Sequence, residues 1–351
     1  MIISKEIADK IFKLILEGNG TSLALIGEQV ALLKKAALEI VENELNWSER
    51  RSVEDLLIVE PSGGNIGIKE IKKLEHFFMH KPLEGKRKYA KRKYAIVYEA
   101  ERVTTEAANA FLKLLEEPPE YAVILLTSTS WNSMLSTIRS RCFAFDIKTP
   151  LEPMEKLKMK YMEKVKYIHG ACFEDYELLE FCLHNDVTDI IKELIEYESL
   201  EFQELLKALT ELEKNGFDEG KSLKLRKIHV EIIRRFLKKG NKGFFSMFRA
   251  LRDALNIGDA FLNIRKFVKT LRSVVQDALI ISHTSFWNRI VNLDLLEWLM
   301  VLVDSGFYLD EEDYLWINSF VRRKISSLNK DLVIHRALFI LVRSIWRDEY
   351  A

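Results

Sequence analysis

The chain has 351 residues, which is long for a single small domain and suits two or three. Hydrophobic residues make up 48% and charged residues 30% of it, the ordinary balance of a globular protein. Its 53 basic and 53 acidic side chains cancel, so overall charge favours neither a nucleic acid nor a membrane as partner, and such a role would need local patches.

Proline placement divides the chain into two parts. All six prolines lie before residue 154, where predicted strands and helices alternate, and the remainder has only helical spacing. The alternation predicts an α/β region whose parallel sheet is covered by helices on both faces. We predict three domains: an α/β domain of residues 1–150, a small all-α domain of residues 151–202 and an all-α bundle of residues 203–351.

The predicted elements of the first part follow in close order. Helices are expected at residues 4–16, 29–41, 67–79, 104–115 and 133–138, with Thr104 as the N-cap of the fourth. Strands are expected at residues 22–26, 56–59, 94–98, 122–127 and 142–147. Three shorter helices, broken at Gly170 and near Asn185, are expected to fill residues 155–199, and longer helices follow.

The turn after the first strand is where a phosphate-binding loop would lie. In the pattern GxxxxGK[ST], glycines let backbone N–H groups wrap the phosphates, the lysine neutralises charge and the hydroxyl binds Mg²⁺. Here Gly27 is the one glycine kept, and the other three positions hold Leu32, Leu33 and Lys34. Lys34 or Lys35 could still lean back toward a nucleotide. The favoured interpretation is that this helix simply packs.

The third predicted strand ends in Tyr98-Glu99, at the place where a P-loop ATPase carries an aspartate that holds Mg²⁺. A phenol does not replace a carboxylate on a hard cation. Glu99 corresponds to the water-activating carboxylate of an ATPase, but without the loop and the aspartate it has nothing to activate. The pattern therefore keeps the architecture of a nucleotide-binding domain and predicts loss of its chemistry.

Cysteine spacing and hydropathy exclude several classes of protein. Cys142, Cys172 and Cys182 have neither metal-ligand nor disulfide-framework spacing, which fits a reducing cytosol. Residues 1–18 form an amphipathic pattern and not a signal peptide. The longest apolar run, near residues 293–303, contains Asp294 and Glu297, so it predicts a buried helix and no membrane span. We expect a cytoplasmic protein with no metal site.

A series of short motifs carries the most specific signal. An acidic pair ends the third strand, a helix and a proline tag follow it, and a T-I-x-S-R-C corner closes the series. These read Tyr98-Glu99-Ala100-Glu101, residues 107–113 (AANAFLK), residues 115–119 (LEEPP), Ser128-Thr129 and residues 137–142 (TIRSRC). In order and spacing they resemble the delta-prime subunits of the bacterial DNA polymerase III clamp loader. Residues 65–71 are also similar to that family, residues 328–332 only weakly, and the strong match covers about a third of the chain.

The resemblance implies a RecA-like AAA+ domain, a helical lid and a helical collar that associates into a ring. It implies a subunit that does not hydrolyse ATP and holds no cofactor, because ATP is bound by the neighbouring subunit. Its partners would be gamma/tau ATPase subunits and the delta subunit, with the sliding clamp and primed DNA reached through the complex. Residues 41–60 lack the cysteines of the family's zinc module, and Thr188 stands where a sensor arginine is expected.

The resemblance also assigns a role to the tripeptide Ser140-Arg141-Cys142. Arg141 would act in trans as an arginine finger on ATP bound by the neighbour, offsetting charge that develops in the transition state. A purely local role remains open, in which Arg141 caps the preceding helix or pairs with Glu101 or Glu117. Cys142 is expected to be a small buried residue and Arg139 a surface neighbour.

Two other functions remain open from the sequence. The first is a divergent but active ATPase that uses Lys34 or Lys35 together with Glu99. The second is a stand-alone DNA-binding regulator that uses two basic runs, within residues 86–93 and residues 221–239. A solvated surface is the favoured interpretation of both runs. On the second run, Lys224, Lys227, Arg234 and Lys238 are expected to share one face of a helix.

Overall fold

The structure is a computed structural model. It describes residues 2–45, 55–62, 64–82, 92–214, 219–239, 244–284, 289–322 and 329–343. The chain divides into two compact units, Met1–Leu151 and Glu152–Ala351. The further division at residue 202 into a lid and a collar stays a prediction.

The first unit alternates helices and strands. Its helices are α1 Lys5–Glu17, α2 Val30–Leu45, α3 Ile68–Phe78, α4 Thr105–Glu116 and the short α5 Ser136–Arg139. Its strands are β1 Thr21–Ile26, β2 Leu56–Val59, β3 Lys93–Val97, β4 Ala122–Ser128 and β5 Phe143–Asp146. The predicted alternation is confirmed, with element ends that differ from the prediction by a few residues.

The five strands form one sheet in the order β2-β3-β4-β1-β5, and every neighbouring pair is parallel. Strands β3 and β4 are buried along their whole length, because helices cover both faces of the sheet. Val59 pairs with Val97, and Ile26 pairs with Ser128. The residues that follow these strands therefore lie along one edge of the sheet, where ligands of such folds bind.

Local capping explains where α4 begins. The Thr104 side chain accepts a hydrogen bond from the N–H of Ala107 at 3.2 Å, so the predicted N-cap is confirmed. An N-cap of this kind contributes about 1 kcal/mol. The inward face of α4 is apolar and packs on the sheet; its buried residues are Ala107, Ala108, Phe111, Leu114 and Leu115.

The described residues of the second unit form helices joined by turns and loops, and none of them lies in a strand. Its helices are α6 Leu151–Tyr161, α7 Lys166–Glu174, α8 Tyr176–His184, α9 Thr188–Glu196, α10 Phe202–Lys214, α11 Glu219–Lys239, α12 Phe244–Leu255, α13 Ala260–His283, α14 Leu296–Asp304, α15 Glu311–Arg322 and α16 Lys330–Arg343. Buried side chains from α10 to α16 form one large apolar core. Within the described ranges, no helix combines the length and hydropathy needed to cross a membrane.

Gly170 does not break a helix, contrary to the sequence prediction. It lies inside α7, and the chain instead interrupts its helices at Met162, which has a left-handed φ of 49°, and at Asp175. A Cβ added at Gly170 would lie 2.4 Å from Nη2 of Arg226. The glycine is therefore explained by the close approach of a guanidinium from α11 and not by backbone freedom.

Candidate functional site

Gly27 follows β1 but does not begin a long phosphate-binding loop. Only residues 27–29 separate β1 from α2, because the helix already starts at Val30. The Gly27 N–H donates to the Ser128 carbonyl at 3.2 Å. A Cβ on Gly27 would lie 2.5 Å from the carbonyl oxygen of Ile147, so packing against that backbone explains the glycine. Leu32 and Leu33, which stand in the phosphate-loop positions, are buried in the core.

Lys34 is held by its own chain. Its Nζ lies 2.8 Å from Oε1 of Glu60 and 4.9 Å from the centre of the Tyr98 ring. Glu60 follows β2 and Tyr98 follows β3, so the pairing of those two strands brings both groups to α2. On the same edge, Gln29 Nε2 donates to Thr149 Oγ1 at 2.8 Å. Lys34, which stands at the hydroxyl position of the phosphate-binding pattern, is thus held in an ion pair within its own chain.

Tyr98 is 3% exposed, and burial, with a smaller contribution from the Glu60 charge, raises the pKa of its phenol to about 12. The side chain is therefore neutral at physiological pH. A neutral phenol is a poor ligand for Mg²⁺, which prefers carboxylate and phosphate oxygens. That Tyr98 holds no metal ion stays a prediction.

Glu99 has a left-handed backbone conformation, and its side chain forms an ion pair within this chain. Its φ of 52° is left-handed, which is uncommon for a residue other than glycine. Its N–H donates to Thr127 Oγ1 at 3.1 Å, and its carboxylate lies 2.5 Å from Nε of Arg102. Two residues on, the Glu101 carboxylate accepts bonds from the N–H and hydroxyl of Thr129. The candidate catalytic carboxylate is therefore engaged with this chain's own arginine.

Arg141 lies on the corner between α5 and β5, with its side chain 27% exposed. Its Nε donates to Oε1 of Glu116 at 2.9 Å, and its Nη2 contacts the same oxygen. Its Nη1 donates to the Thr137 carbonyl at 2.7 Å. The structure thus gives Arg141 the local contacts considered from the sequence, a cap on α5 and an ion pair, but the acid is Glu116 and not Glu101 or Glu117.

The other residues of the tripeptide support this corner. Ser140 Oγ donates to the Thr137 carbonyl at 3.1 Å and accepts from Arg141 Nη1 at 3.0 Å. Cys142 is half-buried and not fully buried as expected, and burial raises the pKa of its thiol to about 12, so it stays protonated. Arg139 points elsewhere, because its Nη1 donates to Asn132 Oδ1 at 3.0 Å.

The first basic run is partly structural. Arg92 donates to the carbonyls of Leu16 and Gly18 at the end of α1. Lys93 is buried, and its Nζ donates to the carbonyls of Phe77 and His80 at the end of α3. Both cations thus satisfy helix C-termini. The rest of the run, residues 86–91, lies outside the described residues.

Lys227 does not share the exposed face predicted for the second basic run, although Lys238 is exposed. Lys227 is 2% exposed, and its Nζ lies 2.7 Å from Asp294, 2.8 Å from Glu198 and 3.1 Å from Glu231. Burial lowers the pKa of Lys227, but the charges of Asp294 and Glu231 outweigh burial and raise it. The expectation that Lys227 shares a solvated or DNA-facing surface is therefore wrong, because Glu231 on the same helix and the more distant Glu198 and Asp294 hold it inside the second unit.

The hydroxyl at the expected sensor position is engaged within this chain, and no metal-ligand cluster lies in the described part of the chain. Thr188, at the expected sensor position, begins α9 and donates its hydroxyl to Asp186 Oδ1 at 2.6 Å. Across the described part of the chain, no group of three or more acidic, histidine or cysteine side chains is arranged to hold a metal ion. Sequence reasoning missed Glu60 and the pairing of Glu116. Adjacency of the β2 and β3 ends could have pointed to Glu60.

Comparison with known proteins supports the resemblance drawn from the motifs. The model of the family described as "DNA polymerase III, delta subunit" matches residues 43–150. The delta-prime subunit of DNA polymerase III from Haemophilus influenzae is 37% identical over 102 residues, which are 28% of this chain and 29% of that protein. The gamma/tau subunit from Mycoplasma genitalium is 28% identical over 170 residues, 46% of this chain and 27% of that protein. The matched segments thus span less than a third of either curated relative.

One solved structure matches nearly the whole chain. The crystal structure of a DNA polymerase III gamma subunit-related protein from Thermotoga maritima covers 96% of this chain and 99% of its own, with 28% identity and a TM-score of 0.54. The sequence and structure likenesses agree, and this chain is similar to the delta-prime and gamma/tau subunits of the DNA polymerase III clamp loader. The predicted fold class, a parallel α/β domain followed by helices, is confirmed.

Proposed function

We propose that this chain is a delta-prime-like subunit of the DNA polymerase III clamp loader that does not hydrolyse ATP. It joins gamma/tau-type ATPase subunits and a delta-type subunit in a ring that loads the sliding clamp on primed DNA. Within that ring it presents Arg141 to ATP bound by the adjacent ATPase subunit. The chain itself takes up no cofactor.

The observation that carries the proposal is the contrast between two places in the first unit. Around Gly27, only three residues separate β1 from α2, and Leu32 and Leu33 are buried where a P-loop has its second glycine and its lysine. At the α5–β5 corner, the guanidinium of Arg141 is partly exposed. A guanidinium matches the shape and charge of phosphate oxygens, and it need not belong to the chain that binds the nucleotide. The contrast favours a residue that serves a neighbour.

The same contacts weigh against the divergent ATPase. Of the residues that it would use, Lys34 or Lys35 together with Glu99, Lys34 is paired with Glu60 and Glu99 with Arg102. Burial of Lys227 and capping by Arg92 and Lys93 also remove part of the cationic surface that a stand-alone DNA-binding regulator would need. Micromolar, Mg²⁺-dependent ATP binding by the purified chain would revive the first alternative. Tight, salt-dependent DNA binding would revive the second.

The experiment that tests the proposal is reconstitution with the ATPase and delta-type subunits of the same organism. Size-exclusion chromatography should show one assembly that contains this chain. The Arg141→Ala variant should enter the same assembly, because the side chain lies on a partly exposed corner, and it should lower DNA-stimulated ATP hydrolysis by the neighbour. An assembly that forms without this chain and hydrolyses ATP equally well would refute the proposal.

A further inference from the structure

The guanidinium of Arg141 is largely engaged by its own chain. An arginine side chain has five N–H donors. Nε and one Nη2 hydrogen go to Glu116, and the two Nη1 hydrogens go to the Thr137 carbonyl and to Ser140 Oγ. A single Nη2 hydrogen is left over. A phosphate approaching Arg141 must therefore replace one of these acceptors before two parallel N–H···O bonds can form.

Glu116 is placed firmly beside Arg141. It ends α4, where Leu114 and Leu115 are buried directly before it. Beyond it, Pro118 packs on Gly20, where an added Cβ would lie 2.7 Å from Pro118 Cγ. Gly20 has a left-handed φ of 78°, and its N–H donates to the Glu120 carbonyl at 3.1 Å. The backbone around Glu116 is thus fixed on both sides, so its carboxylate stays within reach of Arg141.

The electrostatic setting makes this pair exchangeable. A carboxylate at a helix C-terminus meets the negative end of the helix dipole and is unfavourable there unless a cation compensates. Arg141 supplies that cation, but the side chains of Glu116 and Arg141 are 49% and 27% exposed. Solvent screening makes such a pair weak. A nucleotide phosphate carries more negative charge than one carboxylate and would compete for the same donors.

We propose that Glu116 is the resting acceptor of the Arg141 guanidinium. It holds the arginine against this chain until a phosphate group of the neighbour's nucleotide takes the place of its carboxylate. Glu116 is thus a positioning residue that restrains the finger. This inference rests on the proposed function, since it has no meaning unless Arg141 acts in trans.

The test is Glu116→Gln in the reconstituted assembly, with Glu117→Gln as the matched control. Glutamine keeps the shape of the side chain and removes the charge, and Glu117 is the exposed acid next in sequence. Glu116→Gln should raise the turnover of ATP measured without DNA about two- to fivefold, the range set by an exposed ion pair, with little change in KM. Glu117→Gln should match the unmodified assembly. Combined with Arg141→Ala, Glu116→Gln should have no further effect.

The outcomes separate the inference from the proposed function. Unchanged turnover in Arg141→Ala would refute the trans role itself. Loss of turnover in Arg141→Ala combined with unchanged or lowered turnover in Glu116→Gln would overturn only the restraint by Glu116. A readout that needs no nucleotide is exchange of the Arg141 Nε–H with solvent, followed by nuclear magnetic resonance in the purified chain. It should be faster in Glu116→Gln than in Glu117→Gln, and equal rates would also overturn the inference.

Discussion

Helix propensity predicts that Gly170→Ala stabilises the protein, whereas the contacts of Gly170 in the fold predict that it destabilises the protein. Gly170 lies inside α7, where alanine is favoured over glycine by about 1 kcal/mol. An added Cβ would lie 2.4 Å from Nη2, 2.5 Å from Nη1 and 2.6 Å from Cζ of Arg226. The guanidinium would have to move away from the helix.

Moving the guanidinium is costly because of what it binds. Its Nε lies 3.1 Å from Glu174 Oε2, and its Nη2 donates to Asn292 Oδ1 at 2.8 Å. The Arg226 and Glu174 side chains are only 12% and 10% exposed. Breaking a buried pair of this kind costs about 3–5 kcal/mol. After the gain in helix propensity, we expect Gly170→Ala to lower the free energy of unfolding of the second unit by about 2–4 kcal/mol.

Thermal unfolding followed by calorimetry checks this expectation. For a unit of about 200 residues, each kcal/mol corresponds to about 2–4 °C, so the transition of the second unit should fall by about 4–16 °C. In an Arg226→Ala background the obstacle is gone, and adding Gly170→Ala should be neutral or stabilising by up to about 1 kcal/mol. A Gly170→Ala protein that melts at or above the unmodified temperature would show the reasoning to be wrong.

Two further predictions concern titration. Glu60→Gln should lower the pKa of Tyr98 from about 12 but leave it above 10, because burial, the larger cause of the shift, remains. The pKa is measured from tyrosinate absorbance, with a Tyr98→Phe variant as reference. A pKa that does not move would contradict the contribution of Glu60. Burial, and to a lesser extent the charges of Lys266 and Arg226, lowers the pKa of His229 to about 3. Below about pH 6.5 this histidine is therefore protonated in the unfolded chain but not in the folded one, so stability falls as the pH drops. His229→Leu should therefore reduce the stability lost between pH 7.5 and pH 5 by about 2 kcal/mol in urea unfolding, and an equal loss in both proteins would contradict this.

The sheet was predictable because its signal is local. Apolar runs such as Ala122–Ser128 are bounded by turn residues, and Thr104 marks the start of α4 in the sequence itself. The same local reasoning failed at Gly170. There a glycine is needed because the guanidinium of Arg226, from another helix, approaches the backbone closely. No feature of the neighbouring sequence indicates such an approach.

The ion pairs of charged side chains also could not be predicted from the neighbouring sequence. Helical spacing placed Lys227 on a cationic face, but its acidic partners include Asp294, 67 residues away along the chain. Arg141 was singled out from its motif, yet its partner Glu116 lies 25 residues earlier, in a different motif. Sequence patterns therefore identified which residues carry the candidate chemistry. The ion pairs that restrain them depend on packing between elements.

The central claim, that Arg141 serves ATP bound by a neighbour, is tested most directly by ATP turnover of the reconstituted assembly. Arg141→Ala should leave the assembly intact and reduce hydrolysis at the adjacent site by about 10³-fold or more, as loss of an arginine finger does. Arg139→Ala is the matched control, because Arg139 lies two residues before Arg141 and donates to Asn132. An assembly with Arg139→Ala should hydrolyse ATP at the unmodified rate. Turnover in Arg141→Ala equal to that in Arg139→Ala would contradict the account.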